Sequence, residues 1–272
     1  MKTIPQLMLH AARGRRRILE VDYASSEGHV GGALSSIDII CAIYHGAMTE
    51  NDIYIQSKGH CAEALFVVLA QKGLISDEVL DTYCQTGSPL FGHPTNNVPG
   101  VLVNTGALGH GLSIGVGVCI AKKRDEKPGK CFVLLGDGEM AEGSNYEAMA
   151  AAAHYKLDNM VAIIDRNTLQ ISGGTEDVLA LGDMSAKARA FGWDVKEISG
   201  HDMGQIMEAL TAQPTADKPM MIIADTVKGK GVSYMEGEAY WHHGVMKEEQ
   251  YLQALSEIDS AIEKIEKEAK AL

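Results

Sequence analysis

The segment from Gly136 to Asn167 constrains this chain more than any other part of it. An apolar run, Cys131 to Leu135, leads into Gly-Asp-Gly, and a second, Met160 to Ile164, leads into Asp-Arg-Asn. The Ala-rich stretch between them has helix-forming composition. Strand, helix and strand in this order make a βαβ unit, and a right-handed crossover leaves its two strands parallel. Their carboxyl ends then share the sheet edge at which open α/β folds bind ligands. Asp137 and Asn167 therefore arrive side by side, as oxygen donors of the kind that Mg²⁺ or Ca²⁺ takes. Gly136 and Gly138 let a diphosphate approach the backbone. The expectation is a site for a divalent metal and a diphosphate.

The rest of the chain bounds that reading. Its 272 residues fit one large α/β domain, and a hydrophobic content of 46% supports a sizeable core. A net charge of -12 argues against nucleic acid, which needs a basic face. No long apolar segment follows the basic cluster Arg13 to Arg17, so neither a signal peptide nor a membrane span is expected. The cluster itself is expected on a solvated helix face or against a partner chain. Five cysteines without a CxxC pair suit small core residues in a reducing compartment, so the cytoplasm is the expected location.

Patterning predicts helices to about Ala24, over Ser36 to Met48, over Cys61 to Gln71 and, buried, over Gly106 to Ala121. A short strand is expected at DIYIQ, and loop is expected at the Gly-rich stretch before Ser36 and over Gln85 to Gly106. After the βαβ unit come a strand (Trp193 to Ile198), a helix (Met203 to Ala212) and a strand (Met220 to Thr226). Tyr251, Leu255, Ile258, Ile262 and Ile265 recur at helical spacing and predict a terminal amphipathic helix. The alternation implies an α/β fold with a largely parallel sheet.

Gly-Asp-Gly followed about thirty residues later by Asn resembles the thiamine diphosphate signature. Five further segments resemble the thiamine diphosphate half of transketolases, in order: SEGHVGG, SKGHCAEALF, FGHPTN, TGALGHGLSIGVGVCIA and YWHHG. The resemblance implies a three-layer thiamine diphosphate-binding fold over residues 1–272. It implies that Asp137, Asn167 and the Leu169 carbonyl hold Mg²⁺, Ca²⁺ or Mn²⁺. Gly138, Gly106 and His60 would face the diphosphate, with Leu108 and Ile171 packed on the cofactor. His29, His93 and His243 resemble the histidines that line the substrate channel, and Glu142 the acid that touches the partner subunit. The family's pyrimidine-binding and C-terminal domains have no counterpart here. The implied protein is thus the N-terminal subunit of a split transketolase, which joins a C-terminal subunit in an α₂β₂ assembly and transfers a two-carbon ketol unit between sugar phosphates. It is expected to be inactive alone, because the activating glutamate belongs to the pyrimidine-binding half. Two other readings stay open: a ketol transferase for a branched or sulfonated sugar, and a non-catalytic thiamine diphosphate-binding protein.

His29, His60, His93 and His243 each adjoin a glycine, which permits close approach to a ligand. His243 is preferred over His242 because the family histidine precedes glycine. Loop histidines such as His10, His45, His154 and His201 are expected in solvent; Lys228 and Lys230 in KGKG could approach a phosphate, but solvent is the expectation for them too. The run Gly109 to Gly117 is spaced GxGxxxG and lacks a preceding strand, so it predicts no nicotinamide site.

Overall fold

The computed structural model describes residues 2–271. Its frame is a five-stranded, wholly parallel sheet of β1 (Ile53–Gln56), β2 (Cys131–Gly136), β3 (Met160–Arg166), β4 (Asp194–Ser199) and β5 (Met220–Asp225), in the order β1-β2-β3-β5-β4. The apolar runs of β2, β3 and β5 are buried on both faces, as a parallel sheet covered by helices requires. Alternate residues serve opposite layers. Phe132, Leu134, Val161 and Ile163 pack into one core, and Val133, Leu135, Ala162 and Ile164 into the other.

On the first face lie α1 (Ile4–Ser25), α2 (Val30–Ala42), α3 (Ala62–Gln71), a later helix α7 (Met203–Thr211) and the terminal helix α8 (Glu248–Ala271), which runs along α1. On the second lie α4 (Gly111–Arg124), α5 (Gly143–His154) and α6 (Met184–Ala190). Thr3 and Gln6 form a reciprocal capping box that starts α1. Ala254 and Ile258 of α8 are fully buried, and Tyr251 stacks on Tyr23 at 4.1 Å, so the terminal helix is part of the fold.

Several expectations need correction. Helix α2 begins at Val30, six residues before Ser36. Its glycines are packing positions: a Cβ on Gly31 would lie 2.5 Å from the Trp241 carbonyl oxygen, and one on Gly32 2.5 Å from Cys61 Sγ. The α-helix ends at Ala42, and Ile43–Ala47 continues it as a π-helical turn. Helix α4 begins at Gly111, after a loop through Gly106, and is buried on one side only. The arginine cluster is only partly solvated: Arg13 is exposed, but the other three are engaged within the fold. Arg15 is buried against Asp38, Arg16 reaches Asp259, and Arg17 reaches Asp81, so the cluster ties α1 to its neighbours. The window Val30–Ala47 is apolar enough to cross a membrane, but 83% of it is buried inside the fold, so it is a core helix.

Candidate functional site

Every element of the site leaves the carboxyl edge of the sheet or folds over it. Ser57 to His60 follow β1, Asp137 to Glu142 follow β2, Asn167 to Ile171 follow β3, and Thr226 to Lys228 follow β5. Register pairs Gly136 with Asp165, so the chain steps outward from both strands and brings Asp137 beside Asn167. These loops, with Gly106, Leu108, His93 and His242, line a cleft of about 490 Å³. His60, Gly138, Glu142, Leu169 and Ile171 line it too. Gly106 has φ +134, and a Cβ there would lie 2.8 Å from the His93 ring, so only glycine lets that ring fold over the cleft.

Asp137 and Asn167 are both tied to the backbone of the loops that bear them. Asp137 accepts hydrogen bonds from the Gly138 and Thr168 amides at 2.8 and 2.6 Å, and Asn167 Oδ1 accepts from Leu169 N at 3.2 Å. Burial, with Asp165 close by, raises the Asp137 carboxyl above its ordinary range. A carboxyl in that state is stabilised by a nearby cation. Among the described residues no group of three or more His, Cys, Asp and Glu side chains is placed to hold a metal. A cation here would draw on hard oxygens: the Asp137 carboxylate, the Asn167 amide, a backbone carbonyl and oxygens of a second ligand. Those donors suit Mg²⁺ or Ca²⁺ together with a diphosphate.

Two buried lysines reach the same cleft; sequence reasoning missed Lys58 and preferred solvent for Lys228. Lys58 is paired with Asp165, which also accepts from Ser35 Oγ at 2.7 Å and from the Thr226 hydroxyl. Burial opposes charge on both partners. Their mutual attraction outweighs it, holding the Lys58 ammonium up and the Asp165 carboxyl down. Lys228, expected in solvent, is 2% exposed and lines the cleft; its ammonium lies 3.4 Å from His242 Nδ1 and has no carboxylate partner among the described residues. Burial and the Lys58 charge lower its pKa. Lys230 is the ordinary case, half-exposed and bridged to Glu236 at 3.1 Å. Glu139 was missed as well: buried, it accepts from Ser57 and from the Gly109 and Gly136 amides at 2.9 and 3.0 Å, binding three loops together. The one signal for Asp165 was a carboxylate at the end of an otherwise apolar strand.

The Lys58–Asp165 pair predicts its own test. Asp165→Ala strands a buried ammonium and is expected to cost about 3–5 kcal/mol of stability. In urea denaturation, the double variant Lys58→Met/Asp165→Leu should recover most of that loss. A single variant with wild-type stability would show that the pair is not buried in solution.

The histidines converge. The His29 ring lies 5.4 Å from His60, 6.0 Å from His93, 5.5 Å from His242 and 4.7 Å from His243, between centroids. His242 stacks on His60 at 5.3 Å and lines the cleft, whereas His243 is exposed at the rim, its Nε2 3.9 Å from Glu27. Glycine adjacency favoured His243; the structure sets it at the rim beside His29, with its neighbour His242 in the cleft lining. Glu142 is exposed, at the start of α5. Of the histidines expected in solvent, His154 is exposed, His10 and His45 stack at 4.0 Å, and His201 bonds to Asp38.

Burial, reinforced by the neighbouring His243, lowers the His29 pKa to about 4; burial and the Lys228 charge lower His242 to about 3. Unfolded imidazoles titrate near ~6.5. Between these values the unfolded chain binds more protons, so this contribution to stability rises with pH across the window and is lost as pH falls from about 6.5 toward 4. The urea midpoint should drop between pH 7 and pH 5, and less so in His29→Asn/His242→Asn. An equal drop in both proteins would place the acid sensitivity elsewhere.

The fold and cleft define an α/β protein that gathers oxygen donors, histidines and two buried lysines at one edge of a parallel sheet. The profile described as "Transketolase, thiamine diphosphate binding domain" matches residues 10–260, and the chain belongs to the transketolase family. It is 51% identical to an apulose-4-phosphate transketolase subunit of Phocaeicola vulgatus, over 97% of this chain and 98% of that protein. It is 37% identical to a 6-deoxy-6-sulfo-D-fructose transketolase subunit of a Clostridium species, over 85% and 88% of the two chains. The transketolase structure from Campylobacter jejuni superposes with a TM-score of 0.88 at 29% identity, over 95% of this chain and 43% of that one. This chain thus spans less than half the length of that solved transketolase.

Proposed function

We propose that this chain is the diphosphate-binding subunit of a two-chain, thiamine diphosphate-dependent ketol transferase whose donor is a ketose phosphate of the apulose 4-phosphate type. The observation that carries the reading is the cleft. Its lining brings together hard oxygen donors, the Lys228 ammonium, which has no carboxylate partner among the described residues, and the histidines His60, His93 and His242.

In this reading Asp137, Asn167 and the Leu169 carbonyl hold Mg²⁺. Gly138, Gly106, His60 and Lys228 face the diphosphate, and Leu108 and Ile171 meet the rings. Bound there, thiamine diphosphate supplies the nucleophilic carbon and the electron sink for breaking and remaking a ketose carbon-carbon bond. The chain's own work is positioning and proton handling. His29 and His242 are neutral at physiological pH, so His29 presents one donor and one acceptor to sugar hydroxyls, and His242, whose Nδ1 accepts from Lys228, presents its Nε2–H. His93 hangs over the entrance from its loop.

The division between two chains follows relatives that are matched nearly end to end and are named as subunits. Ile171, Val178 and Leu179 are exposed along the cleft wall, an apolar edge suited to a permanent partner. The partner supplies the pyrimidine half and completes an α₂β₂ assembly, in which Glu142 reaches the interface.

Reconstitution tests this. The chain mixed with that partner, Mg²⁺ and thiamine diphosphate should transfer a two-carbon unit to an aldose phosphate, with neither chain active alone. Among apulose 4-phosphate, xylulose 5-phosphate and 6-deoxy-6-sulfofructose, the first is expected to give the highest kcat/KM. Turnover by this chain alone would overturn the split-subunit reading, and preference for another donor would overturn the substrate.

A further inference from the structure

Lys228 has an unusual support. The segment bearing it is anchored on both sides by a buried polar cluster remote in sequence. His201 Nδ1 donates to Asp38 at 2.8 Å, and its Nε2 accepts the Val227 amide at 2.9 Å. Arg15 clamps the same carboxylate, at 2.9 Å through Nη1 and again through Nη2, while its Nε donates to the Lys230 carbonyl at 3.1 Å. The Gly229 amide donates to the Gly31 carbonyl at 2.9 Å. The backbone of Val227, Gly229 and Lys230 is thus fixed, and Lys228 projects from it into the cleft.

The chemistry of the cluster is directional. Nε2 accepts the Val227 amide, so the Nδ1–H is the donor to the Asp38 carboxylate, and one ring joins the two groups. Asp38 is itself held ionised: burial opposes its charge, but Arg15 outweighs it and the carboxyl falls to about 2. Removing His201 therefore orphans the Val227 amide and frees one end of the segment. The ammonium at its centre is the element with most to lose, because it is buried and has no carboxylate of its own to hold it in place.

We infer that His201, braced by Asp38 and Arg15, is a positioning residue that holds Lys228 toward the diphosphate from outside the cleft. The inference rests on the reading above, that Lys228 meets the diphosphate, and the test separates the two. Calorimetric titration of the full-length chain with inorganic pyrophosphate and Mg²⁺ gives the affinities. Lys228→Met should weaken binding about tenfold, the scale of a lost hydrogen bond to a charged group. His201→Leu should weaken it nearly as much, although it touches no ligand. The double variant should be no weaker than Lys228→Met alone, because His201 acts only through the lysine. His201→Gln should stay within about threefold of wild type, since its amide both donates to Asp38 and accepts from Val227.

If His201→Leu fails to fold, His201→Asn replaces it in the same cycle; its shorter amide reaches one partner but not both. Losses that multiply to about a hundredfold in the double variant would make His201 a general stabiliser and overturn the inference. Equal damage from Gln and Leu would do the same. An unaffected Lys228→Met, or no pyrophosphate binding by wild type, would sink the diphosphate reading instead.

Discussion

Replacing Asp137 by alanine is expected to abolish thiamine diphosphate binding while the fold survives. The carboxylate is 2% exposed and its oxygens are aimed by the Gly138 and Thr168 amides, so its position is fixed before any cation arrives. Without a dication the diphosphate and a buried carboxylate repel each other, and the cofactor loses its metal bridge. The loss in affinity should reach about a hundredfold or more, as when a charged partner is removed from a buried pair. Stability moves the other way or little, because the variant removes a carboxyl that burial already disfavours. Calorimetry with Mg²⁺, repeated in chelator, measures the binding, and a thermal melt reports the fold. Unchanged affinity in the variant or in chelator would remove the metal from the site.

The second large effect separates two adjacent histidines. In the reconstituted enzyme His242→Ala should reduce kcat about a hundredfold, the scale of a positioned acid-base group. His243→Ala should cost less than about tenfold, as expected of a rim contact. The basis is placement: His242 lies against His60 and Lys228 inside the cleft, and His243 points to Glu27 at the surface. Neither ring belongs to the two hydrophobic cores, although the adjoining Trp241 does, so neither truncation should open a core cavity. If His243→Ala is the crippled enzyme, the partner subunit must turn that ring inward, and the preference from glycine adjacency stands.

What the sequence determined by itself is what local pattern encodes. Apolar runs of strand length, an Ala-rich helix between them and Gly-Asp-Gly at the turn specify a βαβ unit. Chirality then forces Asp137 and Asn167 to one sheet edge. Periodicity likewise placed the terminal helix and most strands to within two residues. Local pattern failed where a residue's meaning depends on what lies across the chain. Gly31 and Gly32 look like loop residues, but they are helical because Trp241 and Cys61 press against them. Arg15 looks solvated until Asp38 is brought beneath it, and Lys228 until β5 delivers its loop to the cleft. Lys58 and Asp165 are far apart in sequence, and neither has a local reason to be buried; burial is tolerable only because each neutralises the other. The choice between His242 and His243 turns on the same kind of fact. The sequence sets which chemical groups exist and which edge they reach, whereas long-range packing alone decides which charges lose water and what they meet when they do.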